Sequence, residues 1–538
     1  MLSVLDIVKA TFSAVLLIYS LVVLSRMNFE EETKLSHQAG APISFVAMIL
    51  SIMWLARVEG SQAPLVGLAA VDSSLYKDSH PWAYKISSIA HKGDNLDRFL
   101  MGRQFMVVIL FFIIYMAGRP VDEDVETYTK FSDFMIQSGV ALIIVTTILG
   151  ELYSQVSAAN FMLDYCNNRF MLFTTYVCLI VEASGLLHVS YLINYIFSRI
   201  KGYKIESNEP PRNNCQKFLF GTRVFFSFGV VSLSFIIIVD LLVEEKTSMW
   251  EGVPFYVSTV LFLFLVVIVG MLEGMQIAAF AVARIAPKDR EINRWARWSS
   301  DLLFFDEEGG GKGLLSSFLI GRELLVATCF IVLARVTTPE IKEGQDNVFH
   351  FSDGIQKFLD TGFLGIIVTS VLASISWRLV AAAFPLSFLG NPMSYVLLRL
   401  SLFMDGTGIC SFALILSEIQ SQLFGYDEDE VHIGTPEERA AEGKPDKLGG
   451  TGKMGGGAFP ATFGRKKKKQ IETFTMDDLI QHKADLERQC VEAKTEGERD
   501  ALERELTFTA NAIRERDASA KDMVSETEFD ADPDPTGS

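Results

Sequence analysis

The chain has 538 residues, 49% of them hydrophobic, and a mean hydropathy of +0.28. Averages above zero are rare among soluble proteins, because polar surface dilutes the apolar core, so this composition predicts a polytopic membrane protein. The formal net charge of −17 argues against nucleic acid as a partner, since a phosphate backbone requires clustered Lys and Arg.

Ten apolar runs are long enough to cross a hydrocarbon core, which requires about 20 residues. The first run starts almost at Met1 without a small-x-small cleavage site, which favours a retained span over a cleaved signal peptide. The runs lie near 5–26, 40–58, 101–118, 132–156, 170–197, 217–243, 254–284, 315–336, 360–384 and 393–423.

The chain after about Gly425 is polar and is predicted to have three parts. Residues 426–472 read as a flexible linker, with a basic run at 465–469 that is either solvated or attracted to anionic lipid. Residues 473–515 predict a charged coiled coil, for self-association or for a partner, with a single solvated helix as the alternative. Residues 516–538 have the composition of a disordered tail.

The sequence contains no recognisable catalytic or metal-binding set. The six Cys form no CxxC pair, so neither a disulfide framework nor a zinc site is indicated. No HExxH or GxSxG motif occurs within the apolar runs. We therefore predict no enzyme activity, no catalytic residue, no metal site and no cofactor.

Short motifs recur in the same order in two halves, 1–200 and 201–425. RVEGSQ at 57–62 returns as MLEGMQ at 271–276, and IIVTT at 143–147 returns as IIVTS at 366–370. The offset between the copies grows from 214 to 223, as insertions would produce.

Each half would hold five spans, and an odd number requires the second half to enter the membrane from the opposite side. The predicted fold is therefore all-α, with ten transmembrane helices in two inverted five-helix repeats. The charges of matching loops instead favour the same membrane orientation for both halves. The loops at 72–99 and 286–313 are both rich in Lys and Arg, and the positive-inside rule would place them on one side.

Ionisable residues inside a bilayer cost at least about 2.5 kcal/mol, so their presence in apolar runs requires a reason. Glu59 and Glu273 are each followed by Gly, any residue and Gln. Gly lets backbones approach closely, and Gln offers both donors and an acceptor. With Gln104, these motifs would form a cage for a small, neutral, hydroxylated solute. A carboxylate beside the cage would suit Na⁺.

Arg103 and Arg322 open the third and eighth runs, each after a Gly. They are either charge partners of the motif carboxylates or interfacial residues that snorkel to water. Glu182 and Asp405 are matched acids deep in the fifth and tenth runs, and we take them as candidate ion-coupling or proton sites ahead of Glu151, whose counterpart is Ser374.

The paired Glu-Gly-x-Gln and Gly-Arg-Gln/Glu motifs, together with ten spans and a charged tail, resemble the silicic acid transporters of diatoms and their relatives. Two departures are present: Glu323 stands where the first copy has Gln104, and Phe161 stands where some members carry the Cys of a suggested metal site, so no metal is expected there. The resemblance implies these substrate-binding positions: Glu59, Gly60, Gln62, Gly102, Arg103, Gln104, Glu273, Gly274, Gln276, Gly321, Arg322 and Glu323.

The resemblance further implies sodium-coupled symport of orthosilicic acid across the plasma membrane by alternating access, with both termini cytoplasmic. Na⁺ would be the coupling ion, and the partners would be silicic acid, the lipid bilayer and a second copy or another protein bound through the tail. The alternatives are a carrier or channel for another neutral hydroxylated solute such as boric acid, a membrane-embedded enzyme, and a scaffold that acts through its coiled coil.

Overall fold

The computed structural model describes residues 4–121, 129–200, 209, 212–250, 252–283, 290, 292–304, 314–341, 347–427, 429 and 433. Within these residues the fold is helical, and the only extended pairings are two isolated bridges, Thr33 with Pro120 and Thr247 with Pro339. The predicted basic run, coiled coil and disordered tail lie outside the described residues.

Twelve principal helices form two sets of six in the described chain. The first set is α1 Val4–Phe29, α2 Ala41–Gly67, α3 Asn95–Gly118, α4 Val140–Asn160, α5 Arg169–Ala183 and α6 Val189–Ile200. The second set is α7 Asn214–Val243, α8 Phe255–Ala283, α9 Leu315–Thr337, α10 Phe363–Ala383, α11 Pro392–Gly406 and α12 Phe412–Phe424. Shorter helices connect them at Lys34–Ala39, Pro81–Ala90, Lys130–Gln137, Met162–Cys166, Arg294–Phe304, Asp353–Leu359 and Pro385–Leu389.

Eight helices of the described chain, α1–α4 and α7–α10, are long and apolar enough to cross a membrane. The most apolar stretches of α3 and α4 are 83% buried, and those of α9 and α10 are 72% and 67% buried. The corresponding stretches of α1, α2, α7 and α8 are only 33–44% buried. The first group therefore forms the interior of the bundle, and the second group presents its apolar side chains outward, as lipid contact requires.

The predicted fifth and tenth spans are not continuous, so the prediction of ten spanning helices requires correction. The run at 170–197 is divided into α5 and α6 at Gly185, whose φ is +90°, and the run at 393–423 is divided into α11 and α12 at Gly408, whose φ is +76°. Positive φ favours glycine, because it has no Cβ to clash with the backbone. The separated helices have 12–15 residues, fewer than the roughly 20 needed to span.

The two halves repeat the same irregular local structure. A π-helical turn interrupts α4 at Thr146–Leu152 and α10 at Thr369–Ile375. A glycine in the left-handed conformation precedes each of these helices, Gly139 before α4 and Gly362 before α10. π-helical turns are rare in proteins, and those that occur are often found at functional sites. Their recurrence at a spacing of 223 residues therefore marks equivalent positions in the two halves.

Equivalent helices of the two halves run side by side in the same direction. Phe111 of α3 contacts its own equivalent, Phe330 of α9, with ring centroids 5.1 Å apart. Gly139 faces Ile331 of α9, and reciprocally its equivalent Gly362 faces Phe112 of α3. Contacts that are reciprocal in this way are expected when a two-fold axis relates the two halves.

The ends of α3 and α9 also coincide, since Arg119 after α3 forms an ion pair with Glu340 after α9. Inverted repeats would instead place the end of α3 beside the start of α9, so the prediction of inverted repeats is wrong. It counted each divided run as a crossing. Four long helices per half return the chain to its starting side, and matching loops then share a side, as their charges indicated.

The last helix of each half packs against the other half. α6 contacts the C-terminal part of α10, and its equivalent α12 contacts the C-terminal part of α4. Neither half therefore covers its own fourth helix alone. The halves are joined through α3 and α9 at the centre and through this exchange of helices around them.

Candidate substrate site

Eight buried side chains form a closed ring where the two halves meet, which we call the polar ring. No member is more than 9% exposed. Its members come from α2, α3 and α4 of the first half and from α8, α9 and α10 of the second: Glu59, Arg103, Gln104, Gln155, Glu273, Arg322, Glu323 and Arg378.

One arc of the polar ring runs from Gln104 to Glu323. Arg103 donates to Gln104 Oε1 over 3.1 Å and to Glu59 Oε2 over 2.6 Å. Gln155 Nε2 donates to the same Glu59 oxygen over 2.8 Å and to Glu323 Oε1 over 3.0 Å. The Gln155 amide therefore links the carboxylates of the two halves.

The other arc returns from Glu323 to Gln104. Arg322 pairs with Glu323, and its Nη1 lies 3.6 Å from Glu273 Oε1. Arg378 Nη1 donates to Glu273 Oε2 and to Gln104 Oε1, each over 2.7 Å. Arg378 is therefore the second link between the halves and closes the ring.

The polar ring maps onto itself when the halves are exchanged. Glu59 corresponds to Glu273, Arg103 to Arg322, Gln104 to Glu323 and Gln155 to Arg378. Under this exchange the bond from Gln155 to Glu323 becomes the bond from Arg378 to Gln104, and every other contact finds its counterpart in the same way.

The sequence motifs did not include Gln155 or Arg378. A signal existed, because the two residues are separated by the same 223 positions as the repeated IIVTT and IIVTS segments. Their side chains differ, however, so similarity alone could not mark them as a pair.

The charges within the polar ring balance. Three carboxylates, Glu59, Glu273 and Glu323, accompany the three guanidinium groups of Arg103, Arg322 and Arg378. Buried charges persist only when they are paired and hydrogen-bonded. The replacement of Gln104 by Glu323 is thus offset by the replacement of Gln155 by Arg378.

The motif glycines allow the helices that carry the ring to approach closely. A Cβ at Gly102 would overlap the carbonyl oxygen of Cys178 on α5, and one at Gly321 would overlap that of Ser401 on α11. A Cβ at Gly60 would overlap the Tyr165 hydroxyl.

A Cβ at Gly274 would likewise overlap the aromatic ring of Phe388. These four glycines therefore contribute helix packing to the site, and contact of any of them with substrate stays a prediction.

The two motif glutamines flank the polar ring. Gln62 Oε1 accepts a hydrogen bond of 2.9 Å from Arg378 Nη2. Its equivalent on α8, Gln276, is 5% exposed. Gln62 therefore contacts the ring, Gln276 is buried one helical turn after Glu273, and binding of substrate by either glutamine stays a prediction.

The π-helical turns beside the polar ring carry buried oxygens that accept or donate no hydrogen bond within the described protein. In α4 these are Thr146 Oγ1, Thr147 Oγ1 and Glu151 Oε2. In α10 they belong to the equivalent residues Thr369, Ser370 and Ser374. Buried polar atoms are nearly always satisfied, so these atoms mark places where a ligand or water would bind.

The structure does not bring Glu182 and Asp405 to the polar ring. Glu182 accepts a hydrogen bond of 3.1 Å from Tyr191 and lines a crevice of about 850 Å³ with Arg98 and Arg223. Asp405 lies in the last turn of α11, where its backbone faces Gly321 of α9. Both acids are next to the helix breaks, and a role in ion coupling stays a prediction for them.

The Phe161–Asp164 stretch holds the chain that follows α12. Asp164 is 3.1 Å from His80 Nε2 and accepts a hydrogen bond of 2.8 Å from the backbone N–H of Asp427. Asp429 accepts from the Leu163 N–H over 3.1 Å, and burial raises the pKa of Asp429 to about 6. Among the described residues, no group of three or more His, Cys, Asp or Glu could hold a metal ion.

Ion pairs also connect the halves beyond the other end of α3 and α9. Glu340 pairs with Arg119 and, over 2.8 Å, with Lys34 Nζ. Arg119 also donates to Ser248, whose carbonyl oxygen accepts from Arg335 over 3.0 Å. These residues line a cavity of about 600 Å³ between the halves.

A comparison with protein families finds that the model of the family described as silicon transporter matches residues 1–529. Neither the curated proteins nor the solved structures contain a match to the chain.

Proposed function

Because the chain belongs to the silicon transporter family, a family of multi-pass membrane proteins, we propose that it carries orthosilicic acid across the plasma membrane by sodium-coupled symport. The observation that carries the proposal is the polar ring. Silicic acid is small, neutral at physiological pH and bears four hydroxyls, so it requires hydrogen-bond donors and acceptors rather than a charge clamp. The ring and its flanking Gln62 and Gln276 provide both in the interior of the bundle.

We propose alternating access, in which the halves move against each other around the polar ring. Each half contributes four ring residues, and Gln155 and Arg378 cross between the halves. The pairs of Glu340 with Lys34 and Arg119 would break and re-form at one end during this movement. Transporters with repeats related by an axis along the membrane normal work in this way.

Na⁺ coupling would supply the driving force, because a neutral solute gains nothing from the membrane potential by itself. Both termini are proposed to be cytoplasmic. The loops at 72–99 and 286–313 are rich in Lys and Arg, and with four crossings per half they share the side of the N-terminus.

The test is uptake of silicic acid, or of labelled germanic acid as its analogue, into liposomes that contain the purified protein. Uptake is measured with and without an inward Na⁺ gradient. The double variant Gln62→Ala with Gln276→Ala should lose uptake, whereas the exposed Gln422→Ala on α12 should keep it. Folded protein that takes up no more than empty liposomes in every gradient would contradict the proposal.

The charged segment at 473–515 is proposed to mediate self-association or the binding of a partner. Removal of the chain after residue 433 tests this role separately. Such a truncation should retain sodium-dependent uptake in liposomes and lose any association that the full chain shows in solution. A truncation that abolished uptake in folded protein would instead tie the tail to transport.

A further inference from the structure

We propose that Glu151, Thr146 and Thr147, in the π-helical turn of α4, bind the coupling cation, a single Na⁺. The inference rests on the proposed sodium coupling and assigns it to a site beside the polar ring. Glu151 is 1% exposed, both threonines are fully buried, and the three side-chain oxygens named above have no hydrogen-bond partner in the described protein.

The π-helical turn places the three side chains on one face. Glu151 follows Thr147 by four residues and Thr146 by five, and a π-helix advances more than four residues per turn. The spacing therefore places the carboxylate on the same face of the helix as both hydroxyls, and Gln155 of the polar ring follows Glu151 by one helical turn. Na⁺ is a hard cation and prefers such oxygen ligands, as Ca²⁺ and Mg²⁺ do.

The charges around Glu151 require a positive partner. The charged groups that act on it are Glu323, Glu59, Glu273 and Arg322. Arg322 already pairs with Glu323 and Glu273. Three ring carboxylates and three guanidinium groups cancel, so Glu151 is a fourth acid, and its charge once ionised is a surplus that has no counter-charge left in the ring.

One monovalent cation neutralises this surplus, whereas a divalent cation would leave an uncompensated positive charge in its place. The equivalent turn of α10 carries Ser374 and has no charge to balance. The inference therefore predicts one Na⁺ per chain, bound in the first half only.

The test measures the melting temperature of the purified full-length protein as NaCl replaces choline chloride at constant ionic strength. Na⁺ should raise the melting temperature of the natural protein in a saturable way, because a ligand that binds only the folded state stabilises it. Glu151→Gln should lose this shift, and Ser374→Ala at the equivalent position should keep it. Thr147→Val should raise the half-saturating Na⁺ concentration about tenfold, as loss of one ligand to a charged group would.

Two outcomes would overturn the inference. One is a Glu151→Gln protein with the natural response to Na⁺. The other is a natural protein that is unaffected by Na⁺ and whose stabilisation by falling pH is lost in Glu151→Gln, which would mean that Glu151 holds a proton. If Glu151→Gln does not fold, Thr147→Val decides, because an unchanged half-saturating concentration would equally contradict the site.

Uptake measurements separate the site from the proposed function. If Na⁺ stabilises the natural protein but not Glu151→Gln, and neither transports silicic acid, the proposed function fails and the cation site stands. If sodium-dependent uptake is the same in Glu151→Gln and in the natural protein, the proposed function stands and this site fails.

Discussion

The first half of the chain carries Gln104, Glu151 and Gln155 where the second half carries Glu323, Ser374 and Arg378. In the second half, the Glu323 carboxylate and the Arg378 guanidinium are both members of the polar ring, and their charges offset one another. In the first half, the corresponding ring residues Gln104 and Gln155 are neutral, and Glu151 has no guanidinium of its own, because Arg322 already pairs with Glu323 and Glu273. The same arrangement of helices thus serves two purposes, a balanced set of charges that holds the halves together and a surplus charge available to a cation.

The largest effect should come from the feature that the halves share, the close approach at Gly102 and Gly321. An added Cβ would overlap the backbone of α5 or α11, which cannot move aside as a flexible side chain can. Relief of a backbone overlap would require a whole helix to move, which costs more than the about 1–3 kcal/mol of ordinary overpacking, so Gly102→Ala and Gly321→Ala should both abolish the monodisperse peak in size-exclusion chromatography. Gly406→Ala, where nothing lies within 4 Å, is the control. A normal peak for Gly102→Ala or for Gly321→Ala would show that the helices are less closely packed than described.

The next effect should distinguish the halves. Arg378→Gln leaves Glu273 with a weakened counter-charge, and loss of one partner from a buried ion pair costs about 3–5 kcal/mol. Gln155→Ala at the equivalent position removes the hydrogen bonds of a neutral amide to two carboxylates, Glu59 and Glu323, which keep their Arg partners, a loss of about 1–3 kcal/mol. Arg378→Gln should therefore have the lower melting temperature. Equal losses would mean that the charge difference between the halves has no energetic consequence.

A third substitution gives the first half the residue of the second. In Gln155→Arg, the guanidinium would lie between Glu59 and Glu323 and one helical turn from Glu151. It would take the place of the cation, so the melting temperature should no longer rise with Na⁺. Gln155→Ala should retain the response. A natural Na⁺ response in folded Gln155→Arg would separate the surplus charge from cation binding.

The smallest effect concerns the segment after α12, which docks on the first half through Asp429. Burial raises the pKa of this carboxyl to about 6, from 3.8. A raised pKa means that the docked state favours the protonated acid. Docking should therefore be strongest below about pH 4 and should weaken as the pH rises through 6.

Hydrogen exchange of the Leu163 amide, which donates to Asp429, measures this docking. After correction for the intrinsic rate, the amide should be better protected at pH 5.5 than at pH 7.5. Asp429→Asn should remove the difference, which separates Asp429 from the neighbouring His80 and Asp164. Better protection at the higher pH would contradict the assignment.

The sequence was sufficient to predict the long helices, the duplication and most of the polar ring. Hydropathy predicted the eight helices because their apolar runs are uninterrupted. Buried charge then identified Glu59, Arg103, Glu273 and Arg322, since such residues must be paired, and the structure shows both pairs. Their part in binding substrate stays a prediction.

The remainder depended on features that hydropathy does not register. Gly185 and Gly408 break helices within apolar runs, and an apolar run has the same average whether it bends or not. The relative direction of the halves followed from the parity of that count, so one misjudged feature in each half reversed it. Gln155 and Arg378 were not predicted because their side chains differ, and two residues can occupy equivalent positions in the ring without being similar.

The exchange of α6 and α12 between the halves has a consequence for biosynthesis. The C-terminal part of α4 is covered by α12, the last principal helix of the described chain to leave the ribosome, although α4 itself is made long before. One face of the first half therefore stays uncovered until nearly the whole membrane region has been translated. A premature stop just before Phe412 would consequently expose the first half, whose own sequence is intact, to membrane quality control.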